Sequence, residues 1–189
     1  MALTPKISLR KKGESAAIPV KNLHVKLQWK TAIDLDLYVI YKTKGNIESS
    51  GGFFSKLFGT DIAPNKEGKV FFASKGNLEK FPFIKLDQDA GIGDVAGDNE
   101  ENLKVKNLDA HSHLLIVASI YNKPNAIFSN YDGRVTIFTD KDTYEVPLTA
   151  SEKGNWCVIA HLDNSSPVGA NLININKIFN SCPKVSDFI

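Results

Sequence analysis

Apolar and polar residues alternate along much of this chain. In "NLHVKLQWK", residues 22–30, Leu23, Val25, Leu27 and Trp29 fall on one face, with His24, Lys26, Gln28 and Lys30 on the other. That period of two predicts a half-buried strand. "NLKVKNL" at 102–108 repeats it. "HLLIVASIYN" at 113–122 is apolar on both faces, as expected of a central strand covered on both sides. "PKISLRKKG" (5–13) and "DLDLYVIYK" (34–42) predict strands towards the N-terminus, and "NWCVIAHL" (155–162) and "NLININKI" (171–178) two more towards the C-terminus. "DGRVTIFTD" (132–140) and "TYEVPLT" (143–149) predict a hairpin in which Pro147 marks an edge position. Short helices are expected only at Ser151–Lys153 and in the tail after Asn176.

Short strands separated by Gly, Asn and Asp turns predict an all-β fold, an antiparallel β-sandwich with short helical segments. No repeat or linker divides the chain, so one domain is expected over 1–189, with a tail at about 177–189. The segment 46–69 breaks the pattern. It is rich in Gly, Ser and Lys yet holds Phe53, Phe54, Leu57 and Phe58, and it reads as a long insertion loop with an apolar tip. Folding back onto the sandwich is one expectation for that tip. Docking on a membrane surface or a partner's groove is the other.

Composition changes this picture little. At 42% hydrophobic and 23% charged residues, the chain matches an ordinary soluble globular protein. "LLIVASIY" is its longest apolar run, far short of the roughly 20 residues a membrane-spanning helix needs. Met1–Val20 does not read as a signal peptide. Two cysteines make neither a disulfide framework nor a CxxC motif, so a cytoplasmic location is expected. No nucleic acid partner is expected.

Charge is more informative. "KLDQDAGIGDVAGDNEE", residues 85–101, gathers Asp87, Asp89, Asp94, Asp98, Glu100 and Glu101 around Gly91, Gly93 and Gly97. Those six acids with Asp34 and Asp36 make eight of the 21 in the chain, leaving 13 against 23 Lys and Arg. A basic body therefore surrounds one acidic focus, which repels itself unless a cation sits there. Calcium takes six to eight oxygen ligands from carboxylates, carbonyls and water, and the glycines allow turns that aim carbonyls inward. The stretch holds no His or Cys, which disfavours softer metals. It is no EF-hand, since Gly91 and Ile92 stand where that motif needs Asp or Asn and then Gly. Spacing alone leaves calcium binding and a solvated acidic turn both open.

In "AIDLDLYVIY", Asp34 and Asp36 are two apart at the start of a predicted strand. Alternation turns both carboxylates to one face, with Leu35, Leu37 and Val39 facing the core. Aspartate is depleted in strands, which points to a cation site shared with the acidic loop.

The order "ISLRKKGE", "VKLQWK", "DLDLYV", "DQDAGIGD" and "GDNEENLKV", then an apolar strand ending "SIYN", resembles the TerD family of bacterial tellurium-resistance and stress proteins. The likeness runs from about Lys6 to Leu162. It implies a β-sandwich that binds one or two calcium ions and has no catalytic residues. By the resemblance, Asp34, Asp36, Asp87, Asp94, Asp98 and Glu100 are side-chain ligands. Asp89 and Asn99 assist, as do carbonyls of Gly91, Ile92 and Gly93. Asp89 stands where the family has an uncharged residue, Val95–Ala96 look inserted, and 46–69 is longer than the family's turn. The family also implies a non-enzymatic scaffold or adaptor in stress or tellurite resistance, with other Ter-type or membrane-associated proteins as partners. The alternative is a calcium-switched module that docks on anionic membranes through Phe53–Phe58, peripheral at the inner face of the membrane.

Two other constellations carry chemistry. His111 and His113, expected on one strand face near Asp109, could bind zinc, although surface histidines explain them as well. Cys157 and His161, four apart and expected on the same side, are too far separated for a nucleophilic pair.

Overall fold

The computed structural model describes residues 6–19, 21–44, 65–87, 97–121, 123 and 125–189. Its strands are β1 (Lys6–Ser8), β2 (Ser15–Ile18), β3 (Leu23–Trp29), β4 (Asp36–Thr43), β5 (Glu67–Val70), β6 (Gly76–Asn77) and β7 (Ile84–Leu86). They continue with β8 (Asn99–Val105), β9 (His111–Ser119), β10 (Arg134–Phe138), β11 (Thr143–Pro147), β12 (Trp156–Asp163) and β13 (Ala170–Phe179). One sheet has the order β1-β11-β10-β3-β8-β7-β6, the other β2-β13-β12-β9-β4-β5. Among the described residues every pairing is antiparallel except β1 with β11. The fold is an all-β sandwich.

Alternation places the core. Leu23, Val25, Leu27 and Trp29 of β3 are buried while the residues between them are half-buried. They meet Leu103 and Val105 of β8 and, from the second sheet, Leu37, Val39, Leu114, Ile116 and Ile159 in one cluster. β9, expected as a central strand, lies between β12 and β4 and is buried along its whole length. Its outer face carries a second cluster, in which Leu115 and Val117 pack with Tyr38, Val158 and Val185, flanked by Phe179 and Phe188. The chain after β13 therefore covers what would be an exposed apolar sheet face.

β11 is not the edge strand that Pro147 predicts, since it lies between β1 and β10, but Pro147 itself lies beyond β1. β1 pairs only with Thr143–Glu145 of β11, so the strand is uncovered at Pro147. The Leu148 N–H bonds to the Gly133 carbonyl, so alternation turns the Pro147 nitrogen away from β10, where no ladder bond is needed.

Some expectations change. Ser151–Lys153 is not helical, and Lys153 instead forms an isolated bridge with Ile127. β13 continues to Phe179, and the tail has one 3-10 turn at Val185–Asp187. Two further 3-10 turns, Leu108–Ala110 and Phe128–Tyr131, had no sequence signal. The far end of the 46–69 segment is β5, an edge strand on β4. β8 starts at Asn99, three residues before the expected strand. There, pairing with β3 (Trp29 opposite Asn99, Leu27 opposite Glu101) overrides a composition that reads as loop.

Candidate functional site

The returning stem of the acidic stretch meets the β3–β4 connection at one end of the sandwich. The connection from β3 to β4 carries Asp34, and the acidic stretch lies between β7 and β8. Trp29, at the end of β3, is buried and its indole N–H donates to the Ile33 carbonyl at 2.7 Å, fixing the turn that delivers Asp34. The Gly97 N–H donates to the Lys30 carbonyl at 3.1 Å, tying the returning stem of the loop to that turn. Asn99 reaches the Thr31 carbonyl with its amide at 3.5 Å. On the outgoing stem, the Asp87 N–H bonds to the Asn102 carbonyl at 2.8 Å.

Strand pairing sorts the acids. Because β8 begins at Asn99, Glu100 and Glu101 lie on opposite faces of it. Glu100 points outward and bonds Lys26 Nζ at 2.9 Å and the Asn102 amide at 3.2 Å. Its hydrogen bonds with Lys26 and Asn102 hold its carboxyl below the usual range. Glu101 points inward, is 2% exposed, and accepts a hydrogen bond from the Leu37 N–H. β5 pairs with β4 only from Val39 onward, so the Glu101 carboxylate stands where a strand partner for Leu37 would otherwise lie.

Asp36, 8% exposed, opens β4 opposite Ser119, whose hydroxyl donates to it at 3.5 Å. Leu35, Leu37 and Val39 face the core, as alternation predicts. Tyr38 reports on both acids. Burial pushes its hydroxyl up to about 12, a hydrogen bond with Ser119 opposes this, and the charges of Asp36 and Glu101 add to it. Glu101 reaches this place through the N–H of Leu37, the residue after Asp36, so the two acids lie at one edge of the sheet.

The expected ligands are placed as follows. Asp34 is half-buried, Asp36 is buried, Asn99 and Glu100 are half-buried, and Asp87 and Asp98 are exposed at the loop stems. Asp89, Gly91, Ile92, Gly93 and Asp94 lie outside the described residues, as do Phe53, Phe54, Leu57 and Phe58. Among the described residues no group of three His, Cys, Asp or Glu is arranged to hold a metal ion. The donors at this end, Asp34, Asp36, Asn99 and Glu101, are all oxygen-bearing, a set suited to a hard cation such as calcium. Glu101 is one of the six acids of the stretch but lies outside the ligand set that the resemblance implies. The strand period, extended three residues upstream from Asn102, would have turned it inward.

Two bulges rearrange the other constellations. On β9, Ser112 is an extra residue opposite the Lys42–Thr43 step of β4. It puts His111 and His113 on opposite faces instead of one. His111 enters the core between Tyr41 and Phe81 and donates from Nε2 to the Pro82 carbonyl at 2.8 Å. His113 stays on the outer face, its Nδ1 3.1 Å from Nε2 of His161 and 3.5 Å from Asp163. On β12, Ile159 is the extra residue against β9, so Cys157 faces the core and His161 does not. Burial pushes the Cys157 thiol far up, and it packs as a small apolar group.

Comparison with protein-family models and with curated proteins gives no match. Among solved structures, the chain is similar to the crystal structure of the unknown-function protein SAV2460. The TM-score is 0.57 at 11% identity, covering 87% of this chain and 92% of that one. That likeness concerns the fold alone. Among the described residues no helix is long and apolar enough to cross a membrane.

Proposed function

We propose that this chain is a non-enzymatic calcium-binding protein whose site lies where the β3–β4 connection meets the β7–β8 loop. Asp36 and Glu101 are the buried side-chain donors from the described part and Asp34 lies on the adjoining turn; these three are not by themselves a metal-holding group, so the remaining ligands come from the acidic stretch. Asp87 and Asp98 stand at the loop stems, and Asp89 and Asp94 are the remaining acids of the stretch. The observation that carries the proposal is that buried Glu101 accepts from the backbone N–H of Leu37, the residue next to buried Asp36. Burying an ionised carboxylate costs several kcal/mol, and two near each other cost more. A divalent ion adds to the hydrogen bonds these carboxylates already accept in offsetting that cost, and joins the two sheets. On the TerD-like motifs alone, the proposal extends to a scaffold or adaptor role in stress or tellurite resistance.

Ligand that binds only the folded state stabilises it by RT ln(1 + [L]/Kd), about 2.7 kcal/mol at a hundredfold excess over Kd. Thermal melts in calcium and in EGTA test the proposal. A melting temperature that rises with calcium in the wild type, and rises much less in Asp36→Asn, is the expected result. Identical curves in calcium and chelator would remove it.

A further inference from the structure

The basic body that surrounds the acidic focus has a focus of its own, on the outer face of the seven-stranded sheet. Across β10, β3, β8 and β7 the pairing register sets Phe138 opposite His24, His24 opposite Lys104, and Lys104 opposite Lys85. Directly opposed side chains stand about 5 Å apart at Cβ, and like charges so placed destabilise a sheet. In this row Lys104 directly opposite Lys85 is such a pair and therefore a feature to be explained. None of the ion pairs among the described residues involves Lys85, Lys104 or Lys141.

One end of this row opens into a cleft of about 650 Å³. Lys21, His24, Lys104, Lys106 and Lys141 line it, and Asp140 is the one carboxylate among its lining residues. Lys21 and Lys106 are partly neutralised by Asp109 at 2.8 Å and Glu79 at 2.7 Å. Lys104 and Lys141 keep their charge for a ligand. Phe138, also in the lining, is 37% exposed and tilts against the His24 ring with centroids 5.5 Å apart. The cleft thus combines an aromatic wall with a lysine-rich lining, at a volume typical of a small-molecule site.

We propose that this cleft binds a nucleoside polyphosphate, its phosphates on Lys104 and Lys141 and its base on Phe138. Lysine binds phosphate as a point charge, and aromatic faces accept any base by stacking. Concavity favours a small molecule over a membrane surface, which would meet a protruding basic face. The site stands apart from the proposed calcium site, and the test is run in EGTA so that the two are judged separately.

The experiment is calorimetric titration of ADP into the full chain at low salt, with adenosine, pyrophosphate and anionic-lipid vesicles as further arms. The expected result is saturable one-to-one binding of ADP that weakens with added salt, with adenosine and pyrophosphate each binding more weakly. Lys104→Glu and Lys141→Glu, both at exposed positions, should each reduce affinity about tenfold or more. Phe138→Ala should reduce it several-fold, all with unchanged circular dichroism. Absence of heat with ADP at millimolar concentration would overturn the proposal, as would binding indifferent to both lysine variants. Pyrophosphate binding as tightly as ADP, with Phe138→Ala silent, would overturn the nucleotide class. So would vesicle binding that Lys104→Glu and Lys141→Glu abolish while ADP gives no heat.

Discussion

The carboxylate of Glu101, projecting from one sheet, accepts a hydrogen bond from the backbone N–H of Leu37 in the other. This contact spans 64 residues of sequence and fastens β8 to the start of β4, the strand that carries Asp36. It occupies the sheet edge that β5 leaves uncovered. The same bond therefore holds the sheets in register and brings a second carboxylate to the Asp36 neighbourhood.

Removing that carboxylate strands a buried donor. Hydrogen bonds to charged groups contribute about 1.5–3 kcal/mol, and an orphaned buried N–H carries its own desolvation penalty. Glu101→Ala is expected to lower the unfolding free energy in EGTA by about 2–3 kcal/mol. Glu100→Ala, which breaks only a partly exposed ion pair with Lys26, should cost less than about 1 kcal/mol. Urea denaturation of the two variants side by side checks the ordering.

A second tie between the sheets is made by amides. Asn174 and Asn176 of β13 are buried, and the Asn176 amide donates to Asn174 Oδ1 at 2.7 Å. Asn174 also donates to the Leu9 carbonyl at 2.9 Å. Asn176 donates to the Pro147 carbonyl at 2.9 Å and accepts from the Thr149 N–H at 2.8 Å. Asn176→Asp keeps the shape and the acceptor but loses both donated bonds, leaving oxygens facing one another. A loss of about 3 kcal/mol at neutral pH is expected, read as a lower urea midpoint with unchanged slope.

Acid should destabilise the fold through its buried imidazoles. Burial lowers His111 from 6.5 to about 4, opposed by its bond to the Pro82 carbonyl. Burial, with His113 beside it, also lowers His161 to about 4, while Asp163 opposes. Burial lowers His113, with Lys42 adding to this and Asp163 opposing. Between pH 6.5 and about 4 the unfolded chain binds protons that the folded chain refuses. Stability is thus retained above pH 6.5 and declines as pH falls through this window, by up to about 1.4 kcal/mol per pH unit for each such imidazole. His111→Gln should flatten the pH dependence of the melting temperature. A slope equal to that of the wild type would refute the assignment.

Period-two alternation made β3, β4, β9 and β12 legible, because their apolar residues commit to one face or to both. It could not show β6 or β7, which are two and three residues long and hold their places by pairing, β7 with β8 and β6 with β7. Nor could it anticipate the bulges at Ser112 and Ile159, since an extra residue reverses every side chain beyond it without leaving a mark in composition. Those bulges are why His111 left His113 and why Cys157 left His161. At the acidic end, Asp34 and Asp36 stood out as acids in a strand setting, whereas Glu101 was hidden by its neighbours. An acidic run reads as loop until β3 supplies a partner in register.

Calorimetric titration of calcium into the wild-type chain, Asp36→Asn and the Glu100→Gln control tests the central claim most directly. Saturable binding in the wild type, kept in Glu100→Gln and lost or weakened about tenfold or more in Asp36→Asn, is the predicted result. Titrations without heat in the wild type, or equal affinity in all three proteins, would contradict a calcium site at this end of the sandwich.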